Sequence, residues 1–152
     1  MEVLQNIIND ELETAKTEII QRTIDAGAVA SGKTNEGFSV VASESSGQLI
    51  GYSYVGVLER GRSAGKTPYN FHLIIAKWAE AKGITFSDEK ERDRWTKAVA
   101  WSIRLRGTVL HKEGYEVDIF SNPIEALIAN ISNRITPIYS SEITNNIFKW
   151  QQ

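Results

Sequence analysis

The feature that most restricts the fold is an apolar stripe along the first 26 residues. Leu4, Ile8, Leu12, Ala15 and Ile19 step by three or four, and Ile7, Ile20 and Ile24 widen the stripe. That spacing brings side chains onto one face of an α-helix and predicts a helix over 2–26. Gly27 stands where a helix-ending glycine belongs. The same segment carries six acids (Glu2, Asp10, Glu11, Glu13, Glu18, Asp25) against Lys16 and Arg22, so its outer face reads as acidic. A helix of this length must bury its stripe on something, which sets the plan for the rest of the chain.

Beyond it, residues 27–37 are small and polar and read as a flexible loop. Phe38–Ser43 and Gln48–Leu58 read as strands around a turn at Ser45-Ser46-Gly47, with Gly51 and Gly56 marking bulges or a close backbone neighbour. Thr67-Pro68 reads as an N-cap and first helical residue, opening a helix over 69–82 whose face is Phe71, Ile74, Ile75 and Trp78. Ser87 is expected to cap a third helix over 88–106, with Trp95, Ala98, Val99, Ser102 and Ile103 inward and Gly107 at its end. Tyr115–Phe120 alternates as a strand would. Asn122-Pro123 opens a last helix with Ile124, Leu127, Ile128, Ile131 and Ile135 expected inward, and Pro137 is expected to end it. The tail from Tyr139 stays unassigned. Helices and strands mix without strict alternation, so the expected fold class is α+β: a long N-terminal helix and further helices packed on a small antiparallel sheet.

Composition narrows function by exclusion. The 152 residues make one domain of ordinary size, able to bury roughly 68–70% of its unfolded surface without a staple. With no cysteine, disulfide frameworks, thiolate zinc sites, iron–sulfur clusters and cysteine nucleophiles all drop out. His72 and His111 lie 39 positions apart, which is no helical metal spacing. His111-Lys112-Glu113 resembles the His-x-Glu of zinc deaminases, yet that site needs cysteine ligands. No metal or cofactor is therefore expected. Neither a basic start followed by an apolar run nor an apolar stretch of about 20 residues is present. The expectation is a soluble chain made in a cytoplasm, with no membrane partner.

Gly61-Arg62-Ser63-Ala64-Gly65-Lys66-Thr67 follows strand-like sequence and ends in Gly-Lys-Thr. A phosphate loop places four residues between its glycines, and here there are three; Pro68 then removes an amide at the start of the next helix. A nucleotide-dependent enzyme is accordingly the weakest of the readings. The carboxylate pairs Glu11/Glu13 and Glu89/Glu91 sit two apart and face different ways. No Gly-x-Ser-x-Gly elbow occurs. Residues 58–113 hold 12 of the 17 Lys and Arg against seven acids. Such a division is either ordinary surface charge, or the mark of a subunit that docks acid face to basic face on its own copies. A small nucleic-acid-binding or processing protein using the basic 60–112 region is the alternative, with Arg60, Arg62 and Lys66 meeting phosphate.

The run Tyr54-Val55-Gly56-Val57-Leu58-Glu59-Arg60-Gly61-Arg62-Ser63-Ala64-Gly65-Lys66-Thr67-Pro68 resembles the neck proteins of tailed bacteriophages, the head–tail connector or tail-completion family. Ile75-Ala76-Lys77-Trp78, Lys82-Gly83-Ile84, Ala98–Ile103, Arg106-Gly107-Thr108 and Asp118-Ile119-Phe120 follow in the family's order, and Ala30–Thr34 is similar to the loop after its long first helix. The resemblance covers about residues 1–121 and leaves 122–152 as a C-terminal helical extension, either part of the same unit or an assembly arm. It implies a non-enzymatic virion subunit at the neck or tail top, assembled in the host cytoplasm. The subunit would form a homo-oligomeric ring beside portal, connector or tail proteins, with transient contact to DNA in the lumen. On that reading Arg60, Gly61, Arg62, Gly65 and Lys66 form an assembly or lumen-facing loop. Ile143, Ile147, Phe148 and Trp150 are the inter-subunit contact candidates, because a tail this apolar is unsuited to solvent and aromatic residues dominate interface energies.

Overall fold

The computed structural model describes residues 2–114 and 117–149. Its elements in chain order are α1 (Glu2–Asp25), α2 (Lys33–Glu36), β1 (Ser39–Ala42), β2 (Gly47–Ile50), α3 (Val55–Arg60), α4 (Phe71–Ala81), α5 (Glu89–Arg106), α6 (Val109–Glu113) and α7 (Ser121–Lys149). The fold is α+β, with a long N-terminal helix laid on a two-stranded antiparallel sheet.

Helix α1 buries Ile7, Ile8, Leu12, Ala15, Ile19 and Thr23. Gly27 ends it in the left-handed region (φ 63°). Its amide donates to the Ile24 carbonyl and the Ala28 amide donates to that of Thr23, which satisfies two carbonyls the helix end would leave open. The hairpin pairs Val40 with Leu49 and Ala42 with Gly47. A Cβ built on Gly47 would stand 2.5 Å from both Ile8 and Leu12, so the absent side chain is what lets α1 lie directly on the sheet.

Helix α7 runs antiparallel to α1. Leu127, Ile131 and Ile135 pack with Ile8, Leu12 and Ala15, and the partly buried Val40, Ala42 and Leu49 close that cluster from the sheet side. Arg134 reaches Glu11 at 2.7 Å and Asp10 at 3.6 Å. Arg22, near the other end of α1, meets Asp118 at 2.6 Å. A second cluster gathers Ile19, Phe38 and Ile119, with Val55, Leu58 and Phe120 against them. The first half of α7 therefore belongs to the same core as α1.

Several expectations are corrected here. The second strand ends at Ile50 rather than 58, because Val55 and Leu58, three apart, turn inward on helix α3 to cover the second cluster. Tertiary packing overrides the β-propensity of that stretch. Residues 117–120 form no strand: the Val117 amide donates to the Glu59 carbonyl, and Tyr115 and Glu116 lie outside the described residues. The loop 27–37 contains α2. Helix α4 starts at Phe71 after Asn70 in the left-handed region (φ 56°), not at Pro68. The cap of α5 is Asp88, whose side chain accepts from the Glu91 amide, while Ser87 bonds the Glu91 carboxylate through its own amide and hydroxyl. Those two bonds hold the Glu91 carboxyl below the usual carboxylate range. Pro137 does not end the last helix; α7 passes through it without the bond its missing amide would make to the Asn133 carbonyl.

Helices α4 and α5 pack mainly on each other. Among the described residues, neither core cluster includes one of theirs. Ile75 and Ala79 are buried between them, but Ile74 is 50% exposed and Trp78 41% exposed, so the expected inward face of α4 is only half inward. Ile74→Asp is accordingly expected to melt within a few degrees of the parent. Ile75→Asp, which strands a charge in the α4–α5 interface, should cost several kcal/mol. Equal melting temperatures by circular dichroism would contradict this assignment of faces.

Candidate assembly surfaces

The loop after α3 is pinned to the far end of α5. Arg60 is the last residue of α3, and Gly61 follows at φ 70° with its backbone against α6: a Cβ there would lie 2.5 Å from Thr108 Oγ1 and 2.6 Å from the His111 amide. Gly107 mirrors it at φ 73°, its Cβ position 2.5 Å from the Arg62 carbonyl. Each glycine lets the other's strand of chain approach at backbone distance. The Arg62 amide donates to Thr108 Oγ1 (2.9 Å), the Thr108 amide to the Arg62 carbonyl (2.8 Å), and the Gly65 amide to the Arg104 carbonyl (2.9 Å). A phosphate-binding loop keeps its amides for the phosphate, whereas two amides of this loop already have protein acceptors.

Arg62 folds back over the loop, donating to the Lys66 carbonyl, with its guanidinium 5.6 Å from the centre of the Phe71 ring. Lys66 is exposed at the tip. The structure thus brings Arg60, Gly61, Arg62, Gly65 and Lys66 onto one ordered turn, close to the start of α7. Gly61 and Ser63 line a cavity of about 750 Å³ with Ser121, Ile124 and Glu125.

The C-terminal candidates sit elsewhere. Ile143 and Ile147 are 59% and 56% exposed, and with Tyr139 (49%) they step by four along one face of α7. Phe148 belongs to α7, and Trp150 lies outside the described residues. At 1.5 Å per residue, Ile143 is about 33 Å along the helix from Ser121, so loop and tail mark opposite ends of the molecule. In the antiparallel register Ile143, nine residues on from Arg134, stands level with Glu2, nine back from Glu11.

No family model, curated protein or solved structure matches this chain. The surfaces must be read from their own chemistry.

Sequence reasoning gives Glu59 no role of its own: it falls one residue past the expected strand, within the Tyr54–Pro68 run. Glu59 is 4% exposed; its carboxylate accepts from the Ser121 hydroxyl (2.5 Å) and amide (3.3 Å), and its carbonyl accepts from the Val117 amide (3.2 Å). It ties the base of the loop to the first residue of α7. The signal was present: Val55, Leu58 and a closing Gly61 at steps of three describe a helical turn, not a strand. The acid stripe of α1 also differs from its sequence reading. Glu13 pairs with Lys16 (2.9 Å), Glu18 with Arg22 (2.8 Å), and Asp10 and Glu11 with Arg134, so much of that charge is matched within the chain. Among the described residues no helix is long and apolar enough to cross a membrane.

Proposed function

We propose that this chain is a structural subunit that assembles with copies of itself into a ring at the head–tail junction of a tailed phage, beside portal, connector or tail proteins. The observation that carries the assembly reading is the apolar stripe Tyr139–Ile143–Ile147, held out beyond the core on a helix whose other half is firmly packed. A stripe of this kind marks a contact surface. Leu73, Ile74, Trp78 and Leu105 expose further apolar area on the α4–α5 pair. Unlike patches at separate ends favour heterologous contacts, which close into rings when the rotation between neighbours permits. Because the acids of α1 are largely engaged within the chain, apolar burial rather than acid-to-base docking is the driving term. The phage neck setting rests on the motif order around Tyr54–Pro68 and its successors.

The test is native mass spectrometry and electron microscopy of the purified full chain, alone and with neck partners. Discrete ring-sized oligomers are expected. The double variant Ile143→Asp/Ile147→Asp should keep the parent's melting temperature and fail to assemble. A chain that stays monomeric with and without partners, or a double variant that assembles like the parent, overturns the reading.

A further inference from the structure

A groove of about 410 Å³ opens where α4 begins and the last turns of α5 pass it, walled by Tyr69, Phe71, His72, Lys97, Trp101 and Arg104. Its aromatic content is unusually open to solvent: Tyr69 is 93% exposed and Trp101 59%. The Arg104 guanidinium stands 5.9 Å from the centre of the Trp101 ring, and Arg62 lies behind Phe71. Among the described residues that wall it there is no carboxylate, and Asp93, one turn before Lys97, pairs with it at 2.7 Å. The groove is thus positively biased, and its Tyr69 and Trp101 side chains are largely open to solvent, with Arg104 already set against the Trp101 ring. Rings offer stacking to any flat heterocycle, and guanidinium and ammonium groups offer charge to phosphate.

We propose that this groove binds single-stranded nucleic acid, with Tyr69 and Trp101 stacking on bases and Arg104 and Lys97 facing the backbone phosphates. A duplex is disfavoured because its base faces are covered by their neighbours, leaving exposed rings nothing to stack on. A second copy of the chain is disfavoured because the acid stripe of α1, its natural counterpart for a cationic groove, is largely held in its own ion pairs. The inference goes beyond the assembly reading, since the groove residues Tyr69, Lys97, Trp101 and Arg104 belong neither to the stripe on α7 nor to the Leu73, Ile74, Trp78 and Leu105 patch on the same helix pair.

The test is fluorescence anisotropy of a labelled oligo(dT) of about 20 nucleotides with the full chain, repeated with a duplex of equal length. Binding that weakens steeply with added salt is expected, together with quenching of tryptophan emission. Tyr69→Ala and Trp101→Ala should each weaken it about tenfold without moving the melting temperature, since both side chains are exposed. Arg104→Ala should weaken it and lower the salt slope by about one. The Ile143→Asp/Ile147→Asp variant should still bind, whether or not the assembly reading holds. Absence of binding at low salt overturns the inference. So does a duplex bound as tightly as the single strand, or full affinity in a Tyr69→Ala/Trp101→Ala double variant. If Trp101→Ala dissolves the oligomer and leaves oligo(dT) affinity untouched, the groove is a subunit interface and the inference is wrong.

Discussion

Ending the chain after Ser121 is expected to leave an unfolded polypeptide, whereas ending it after Ser141 leaves a folded one that does not assemble. The first cut removes Leu127, Ile131 and Ile135, which together cover Ile8, Leu12 and Ala15 from the side opposite the sheet. Burial of an aliphatic side chain is worth about 1.5–3 kcal/mol. Losing three of them, with the matching face of α1 exposed, approaches the whole stability of a typical domain, about 5–15 kcal/mol. It also strips Arg134 from Glu11 and Asp10. The second cut removes Ile143 and Ile147, which are mostly exposed, and leaves every residue of the two core clusters in place. Circular dichroism melting separates folded from unfolded, and native mass spectrometry reads assembly. A chain ending at Ser141 that fails to fold, or one that assembles like the full chain, would contradict the division of α7 into a packing half and a contact half.

Replacing Glu59 by alanine is expected to destabilise the fold by about 2–3 kcal/mol, the cost of removing a buried, charge-assisted acceptor. Glu59 is 4% exposed, and the half-buried Ser121 hydroxyl and amide would lose the acceptor they share. The negative charge at the start of a 29-residue helix would also go. Glu59→Gln keeps the shape and one acceptor oxygen while losing the charge, so it should fall between parent and alanine variant. For a domain of this size the alanine change corresponds to a melting temperature lower by about 5 °C or more. If Glu59→Ala melts with the parent, the carboxylate is not what joins the loop to α7.

How far the sequence disclosed this architecture depends on what each signal measures. The stripe of α1 and the glycine after it were legible because a helix stripe and a left-handed cap are local properties of the chain. Helix α5 was legible to within a residue for the same reason. Leu127 and Ile131 turn inward as their spacing predicts, but Ile128 is 61% exposed and Ile124 also lies at the surface, and Pro137 is no stop. Its local penalty, a lost hydrogen bond and the crowding of its ring against the Asn133 carbonyl, is outweighed here, and the turns on either side continue. The misreading of 51–58 came from Tyr, Val and Ile content, which favours strands only when a neighbouring strand is there to pair. Ile74 and Trp78 show the other limit. Periodicity identifies an apolar face but not whether another element covers it, and here the cover on α4 is partial. At the candidate surfaces, the loop 60–66 was found by its glycines and arginines, while Glu59 was hidden because a buried carboxylate is recognised only by the partners that surround it.

The proline in α7 has a mechanical consequence. On its N-terminal side the helix is clamped to α1 by Leu127, Ile131, Ile135 and Arg134; on its C-terminal side it carries Tyr139, Ile143 and Ile147 clear of the core. A rod bends most easily where it has lost an axial bond, and that place is the turn between Asn133 and Pro137. The apolar end is therefore a short lever on a fixed bearing. Neighbours in a closed ring must meet at an angle set by the number of subunits, and small errors in that angle accumulate around the circumference. In the proposed ring, a pivot at the edge of the core would take up such an error at each joint, so that the ring could close while every domain keeps its packing undistorted.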